Sequence, residues 1–420
     1  VSVARSLADW LAFQQQLHPQ AIALGLERVR EVAARVGAGR PAATVITVAG
    51  TNGKGSTVAM LDAILRAAGY VVGTYTSPHL LTYNERVRVD GEPVDDVELV
   101  RAFERIEAVR GDVPLTFFEY GTLAALLVLA ARDVDIAVLE VGLGGRLDAV
   151  NLVDPDCAVL TTVDLDHQAL LGPDRESIGA EKAGIFRAGV PAVIGEATPP
   201  ASVLTHARAI GAVPIRAGTD FRLVADVDGR RYVGADGYTL ALPALPLPGP
   251  SQPNNAATAI AALRALAGRL PVDDAATVAG LAHVRLPARL QQVGAQPELR
   301  VDVAHNPQAA RELAAWLASA PHKRTVAVFA ALADKDIDAI VGAVAAGIAS
   351  WHLLPITDAG ARGLALPALQ ARVACAAGDA SVHAHGDAAV ALAAARADAG
   401  TEGRVLVFGS FHTAGAVLAA

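Results

Sequence analysis

The chain reads as an α/β protein, with a doubly wound, mostly parallel sheet in its first part and a second, smaller α/β domain behind it. Three observations predict this. Buried-strand patterns alternate with helical ones from Val45 onward. A fresh cycle of the same kind starts near Glu298. The 420 residues are 53% hydrophobic and 19% charged, which gives length for two domains and apolar material for two cores.

Val45–Ala49 is an unbroken apolar and β-branched run, as expected of a strand buried on both faces. Gly55–Ala68 follows as a helix and Val71–Tyr75 as a strand. Asp95–Val109 and Tyr120–Arg132 read as helices, and Asp135–Val141 and Asp156–Val163 as buried strands. The apolar run Thr122–Ala131 is too short to span a membrane and ends at Arg132. From Phe221 to Leu242 the pattern breaks into short alternating pieces with turn signals at Asp228-Gly229 and Asp236-Gly237, predicting an antiparallel patch on the sheet's edge. A proline-rich loop leads to helices over Asn255–Ala267 and Asp273–Ala282. In the second cycle, strands at Leu299–Val303, Thr325–Ala330, Trp351–Ile356, Ser381–Ala384 and Arg404–Phe408 alternate with alanine-rich helices. Pro287, Arg289 and Gly294 cluster at the expected boundary, which divides the chain into 1–288 and 289–420.

The net charge of −8 argues against a nucleic-acid surface, and no basic stripe appears. An acidic chain that binds anions must use local lysine, arginine, helix termini and metal rather than its overall field. The N-terminal stretch carries Asp9 and lacks the apolar core of a signal peptide. Cys157 and Cys375 are the only cysteines, and both are expected to be buried free thiols in a reducing cytoplasm.

The most informative stretch is Val45-Ile-Thr-Val-Ala-Gly-Thr-Asn-Gly-Lys-Gly-Ser-Thr57, a strand, a glycine loop and a helix start. Such a loop cradles phosphate: its glycines turn N–H groups toward an anion and the helix N-terminus adds positive charge. Lys54 can reach the β/γ-phosphates, and Ser56 or Thr57 lies near a bound Mg²⁺. The pattern departs from G-x-x-x-x-G-K-[ST], with Val48 at the first glycine and Gly55 after the lysine. A tight turn is the plain alternative, and the flanking strand, lysine and helix weigh against it.

Polar groups recur just past strand ends, where parallel sheets bind ligands. Ser77, in Thr76-Ser-Pro-His79, offers a hard oxygen for Mg²⁺, or else a serine turn before proline. Glu140 ends an apolar strand, where a carboxylate is costly unless it is paired or metal-bound; pairing with Arg146 is the structural alternative. His167, in Thr161-Thr-Val-Asp-Leu-Asp-His167, carries a nitrogen ligand. These three groups could converge on one Mg²⁺. Lys182, read alone, is a surface lysine on an amphipathic helix. Arg289 and Asp302 suit a phosphate and a ribose hydroxyl or Mg²⁺ of a nucleotide held between domains. Gln252 and Asn255 begin a helix and could bond a base.

Taken together and in order, GTNGKGS, TSPHL, NERVRVDG, FEYGT, LEVGLGGRLDAVN, DHQALLGPDRESIGAEKAGIF, QPNNAATA, LPARLQ, DVAHNP and GSFHT resemble the folylpolyglutamate synthase/dihydrofolate synthase family within the Mur ligase superfamily. The resemblance spans about Ala23 to His412. It implies a P-loop, Mur ligase-like ATPase domain with a mostly parallel sheet, followed by a smaller Rossmann-like C-terminal α/β domain. It implies an ATP-dependent acid–amino-acid ligase that activates a pteroate or folate carboxylate as an acyl phosphate, for attack by L-glutamate. Domain closure is then expected to shield that intermediate. Thr51, Asn52, Gly53, Lys54, Gly55 and Ser56 would hold ATP phosphates, with Asn255, Arg289 and Asp302 contacting ATP. Ser77, Glu140 and His167 would bind Mg²⁺. Lys182 aligns with a carbamylated lysine that serves a second metal, and a monovalent cation is a further candidate. Lys54, Lys182 and His167 would be the catalytic set. Leu24, Gly25, Leu26, Thr116, Phe117, Phe118, Glu119, Leu147 and Asp148 correspond to the pterin surface, although Ala23 stands where the family often has an acid. His305 and Ser410 are the candidates for glutamate.

FEYGT with LGLERV looks like the bifunctional bacterial members, which act on dihydropteroate and then on tetrahydrofolate; a folate-only polyglutamylase is the runner-up. A cytoplasmic monomer acting on small molecules, without nucleic acid or membrane, is expected. A P-loop GTPase or kinase is disfavoured, because no N-K-x-D motif appears. A cell-wall Mur ligase would add a UDP-binding domain before the strand at Val45. A non-catalytic nucleotide-binding module would not need Lys182, Glu140 and His167 together.

Overall fold

The computed structural model describes residues 5–20, 22–226 and 229–419. These form two compact units. The first comprises residues 1–163, 173–245 and 253–284, and the second 164–172, 246–252 and 285–420. The chain therefore enters the second unit twice, briefly, before it stays there from Arg285. The expected boundary cluster lies past this point, because Gln291–Ala295 is already a strand of the second unit.

The first unit is built on an eight-stranded sheet. Its strands are β1 (Thr44–Ala49), β2 (Val72–Tyr75), β3 (Val87–Val89), β4 (Glu92–Pro93), β5 (Ile136–Glu140), β6 (Cys157–Leu160), β7 (Pro191–Ile194) and β8 (Val213–Arg216), in the order β4-β3-β2-β5-β1-β6-β7-β8. All pairings are parallel except those of β3 and β4, which fold back along one edge. β1 is buried at every residue and sits between β5 and β6, so its apolar run is covered on both faces. The register sets Val48 beside Glu140, Ala49 beside Leu160, and Tyr75 beside Leu139. The segments that follow β1, β2, β5 and β6 therefore leave the sheet along one edge.

The helix expected from Tyr120 starts earlier, at Phe117. Its cap explains this: the Thr116 hydroxyl accepts from the Glu119 N–H at 3.2 Å, and the Glu119 carboxylate accepts from the Thr116 N–H at 2.7 Å. The strands β9 (Phe221–Asp226), β10 (Gly229–Gly234) and β11 (Thr239–Ala241) form their own antiparallel sheet instead of extending the large one. Asp228 of the expected first turn lies outside the described residues. At the second turn, Gly237 takes φ 84° and the Tyr238 N–H donates to Asp236.

The second unit carries a six-stranded sheet of β12 (Gln291–Ala295), β13 (Glu298–Val301), β14 (Thr325–Phe329), β15 (Ser350–Leu353), β16 (Ser381–Ala384) and β17 (Arg404–Phe408), in the order β12-β13-β17-β14-β15-β16. Only β12 is antiparallel, in a hairpin that the sequence reading missed. Trp351, Phe329 and Phe408 form its aromatic centre, with ring centroids 5.0–6.0 Å apart. Cys157 is buried as expected, and burial pushes its thiol up to about 12. Cys375 is exposed, because its helix, Leu366–Ala376, turns Leu369 and Val373 inward instead. Among the described residues, no helix is long and apolar enough to cross a membrane.

Two predictions follow from packing. Helix Asp274–His283 lies against helix Lys54–Ala67, and a Cβ on Gly280 would stand 2.4 Å from the Ile64 Cα. Gly280→Val should lower stability by about 3 kcal/mol in chemical denaturation, and an unchanged midpoint would contradict this contact. On the second sheet, His352 Nδ1 pairs with His385 Nε2 at 2.9 Å, and His352 Nε2 lies 3.3 Å from Asp398. Burial holds both imidazoles below 6.5. The unfolded chain thus takes up more protons as pH falls, so stability is present above about pH 6.5 and is lost on acidification. The drop in Tm between about pH 7.5 and about pH 5.5 should shrink in His352→Gln.

Candidate active site

The glycine loop follows β1 and is held from both sides. Gly50 takes φ 152°, and a Cβ there would meet Thr161 Oγ1 at 1.8 Å, so only glycine lets the strand end pass this close to its neighbour. The Thr51 N–H donates to the Thr162 carbonyl at 2.7 Å, and the Thr161 hydroxyl donates to the Asn52 carbonyl at 2.6 Å. Gly53 takes φ 86°, and its missing Cβ is replaced by Asn255 Oδ1, 2.7 Å from where that Cβ would be. Asn255 therefore sits against the loop itself. Lys54, Gly55 and Ser56 form the first turn of helix Lys54–Ala67, whose positive end faces the loop. Thr57 is committed elsewhere, donating to the Gly53 carbonyl at 2.9 Å.

Lys54 Nζ donates to the carbonyls of Gly50 at 3.0 Å and Thr51 at 3.2 Å. Lys182 is not the surface lysine that its helix alone suggests. It is 4% exposed and donates to the same Gly50 carbonyl at 3.0 Å. Helix Arg175–Ala183 is held in place by Arg146, whose N–H donates to the Glu181 carbonyl and whose guanidinium pairs with the Glu181 carboxylate at 2.7 Å. Arg146 is thus engaged away from Glu140. The Glu140 carboxylate instead accepts from the Ser77 N–H at 3.2 Å, which brings two of the three expected metal-binding residues together. The third, His167, belongs to the second unit. No group of three His, Cys, Asp or Glu side chains among the described residues is arranged to hold a metal. The oxygens of Ser77 and Glu140 suit a hard cation such as Mg²⁺, which characteristically takes one or two carboxylates and completes its shell with water and substrate phosphate.

The surface expected for pterin is assembled in the first unit. The Gly25 N–H donates to the Leu147 carbonyl at 3.3 Å, joining Leu24–Leu26 to Leu147-Asp148. Phe118 presses its ring against Gly142, where a Cβ would be 2.5 Å from it, and Phe117 meets Tyr83 edge-on at 5.7 Å. Asp148 is buried, and accepts from the N–H groups of Leu143 at 2.8 Å and Val150 at 2.9 Å. Burial pushes its carboxyl up to about 7, against the pull of these amides and of Lys54. Glu119 is engaged structurally: besides capping its helix, it receives Arg28 at 3.0 Å, and Arg28 also holds the Ala23 carbonyl at 2.8 Å. Arg28 lies within the LGLERV motif without having been assigned a role. Thr116 and Glu119 thus shape this surface as a cap.

In the second unit, Asp302 accepts from the N–H groups of Leu290 at 2.8 Å and Ala304 at 2.7 Å. Burial raises its carboxyl while Arg289 opposes. The Arg289 guanidinium lies 5.6 Å from the Phe411 ring, and the His305 ring 6.0 Å from the same ring. Ser410 is committed structurally: buried, it accepts from the Thr413 N–H at 2.9 Å and caps the last helix. A cluster around Asp166 was missed in the sequence. Asp166 accepts from Lys335 Nζ at 2.6 Å and from Asn306 Nδ2 at 3.2 Å, with His305 Nε2 at 3.7 Å. Burial would raise the Asp166 carboxyl, but Lys335 and the two imidazoles hold it far below its usual range. His167, in the left-handed region at φ 51°, stands 3.4 Å from Lys335. Burial, with Lys335 adding to it, lowers its imidazole to about 4, so the ring is neutral near pH 7. Lys335 is 169 residues away in sequence, and nothing local marks its partner.

A model of the Mur ligase middle domain matches residues 48–263, and one of the Mur ligase glutamate ligase domain matches residues 288–411. The dihydrofolate synthase/folylpolyglutamate synthase of Escherichia coli K12 is 46% identical, over 99% of this chain and 95% of its own. The structure of E. coli FolC in complex with DHPP and ADP matches with a TM-score of 0.93 at 44% identity, covering 99% of this chain and 97% of that one. The Yersinia pestis bifunctional folylpolyglutamate synthase/dihydrofolate synthase complexed with AMPPNP and Mn ion matches with a TM-score of 0.90 at 43% identity, covering 99% and 98%. Ordered motifs, fold and full-length identity agree: the chain belongs to the dihydrofolate synthase/folylpolyglutamate synthase family of Mur ligases.

Proposed function

We propose that this protein is an ATP-dependent ligase that joins L-glutamate to dihydropteroate, forming dihydrofolate, and to the γ-glutamyl chain of tetrahydrofolate. The observation that carries the reading is the single sheet edge of the first unit. There the glycine loop, two lysines on the Gly50 carbonyl, and the Ser77–Glu140 pair lie beside the Asp148 surface. The named relatives support the same chemistry, since their structures carry DHPP, ADP, AMPPNP and Mn. In this reading residues 1–288 bind and activate, and residues 289–420 serve glutamate. The protein works as a cytoplasmic monomer on small molecules.

A carboxylate oxygen of the pteroate or folate attacks the γ-phosphorus of ATP, the bond to the β–γ bridging oxygen breaks, and ADP leaves. The neutral glutamate amine then attacks the acyl carbon and a C–N bond forms; the acyl C–O bond breaks, phosphate leaves with that oxygen, and the amine nitrogen gives up a proton to solvent. Thr51 to Ser56 form the phosphate cradle: the N–H groups of Thr51 and Asn52 are tied to Thr162 and fix its shape, those of Gly53 to Ser56 bind the phosphates, and Lys54 turns from the loop carbonyls to the transferring phosphoryl. Asn255 fixes the loop, Arg289 meets phosphate and Asp302 the ribose. Mg²⁺ bound by Ser77, Glu140 and His167 would spread the charge that develops on the phosphoryl oxygens. Lys182 is assigned as a carbamate: its neutral amine adds to CO₂, an N–C bond forms and a proton is released. The ammonium at Gly50 is thereby replaced by an anion suited to a second cation. Leu24–Leu26, Phe117, Phe118, Leu147 and Asp148 hold the pterin. His305 orients glutamate, with Ser410 shaping that loop.

Phosphate release from ATP should require dihydropteroate and L-glutamate together, and equal release with a UDP-muramyl substrate, or none with any pteroate, would sink the reading. Lys182→Ala should fold normally by circular dichroism yet lose about 100-fold or more in kcat. Full activity in that variant would remove the carbamate assignment.

A further inference from the structure

A cavity of about 300 Å³ lies in the second unit, at the end of its sheet opposite Asp302 and Ser410. Glu298, Thr325 and Arg404 are the first residues of the parallel strands β13, β14 and β17, and Thr325 and Arg404 line this cavity. Its lining is largely small and apolar, including Leu317, Ala318, Ala343 and Val344, and its ionisable members are His322, Lys323 and Arg404.

The charges around Arg404 do not balance. Among the described residues, Glu298 is the one carboxylate that Arg300 at 2.7 Å, Lys323 at 2.9 Å and Arg404 at 3.3 Å all reach. Burial works to raise its carboxyl, yet the three cations hold it down at about 2. Arg404 is the poorly served member. It is 2% exposed, and its contacts to Glu298, Thr325 and the Pro321 carbonyl are 3.2–3.4 Å long. Its Nε is buried with no hydrogen-bond partner. Charge-assisted bonds of a satisfied guanidinium run near 2.8 Å, and a buried donor left unpaired is costly. Trp316, with its ring 4.8 Å from the guanidinium, covers one face of Arg404 and supplies no acceptor.

We propose that this cavity binds a small organic carboxylate, its head on Lys323 and Arg404 and its hydrocarbon body along the small apolar lining. One added anion offsets the surplus positive charge, and the apolar lining selects against a bare inorganic ion. The site is separate from the ligase machinery and the inference does not depend on it.

The test is calorimetric titration of the full chain with hexanoate, acetate and inorganic phosphate at low ionic strength. Hexanoate should saturate one site per chain, and acetate and phosphate should bind about tenfold more weakly or worse, because they bury fewer methylenes. Lys323→Met should weaken hexanoate by about tenfold, and Ala343→Phe, which fills the cavity, should abolish its binding. Absence of saturable hexanoate binding to the wild type would overturn the proposal, as would phosphate binding as tightly as hexanoate. Undiminished affinity in folded Ala343→Phe would do the same. Should that variant fail to fold, Lys323→Met decides, since its side chain is at the surface and unchanged affinity there is equally fatal.

Discussion

Two lysine ammonium groups, from helices far apart in sequence, donate to one backbone carbonyl, that of Gly50. The arrangement depends on the strand end passing so close to Thr161 that no side chain fits at position 50. Like charges brought this near repel, the more so because Lys182 is buried. The carbonyl dipole offsets part of that repulsion, and the Asp148 carboxyl near Lys54 opposes it as well. The parallel register around β1 then fixes what else reaches this point, since it sets Glu140 beside Val48 and Thr161 just beyond Ala49.

The second unit uses the opposite arrangement. There an anion, Asp166, gathers Lys335, Asn306 and the imidazoles of His305 and His167 around itself. An acidic chain can host both patterns because each is local. Short contacts inside partly dry surroundings outweigh a net charge of −8 spread over a wide surface. Burial and the nearby Lys335 keep the His167 imidazole neutral near pH 7, against the pull of Asp166.

The glycine loop was legible because its geometry forbids other residues: Gly50 and Gly53 each stand where a Cβ would strike a neighbour. The strands around it were legible for a related reason, since burial on both faces demands an unbroken apolar run. Pairing across the fold was not legible. Glu140 could be read toward Arg146, and only the fold turns Arg146 to Glu181 and Glu140 to Ser77. Lys335 looks like a turn lysine between two aspartates, and its true partner lies in another segment. Lys182 has the spacing of a surface residue, and its burial comes from the loop packed over it. Ser410, Thr116 and Glu119 carry motif residues whose visible task is capping, a role that short motifs do not separate from binding.

Residues 164–172 belong to the second unit although both their neighbours in the chain belong to the first. During synthesis this segment leaves the ribosome before residues 285–420, which make up most of its unit, exist. At about 5–20 residues per second the wait is on the order of ten seconds or more. Through that interval Asp166 has no Lys335 to meet and His167 has no settled surroundings, while the sheet that carries the glycine loop can already close. The surroundings of Asp166 thus cannot be completed until synthesis has passed Lys335, whereas Glu140 and Ser77 can meet much earlier.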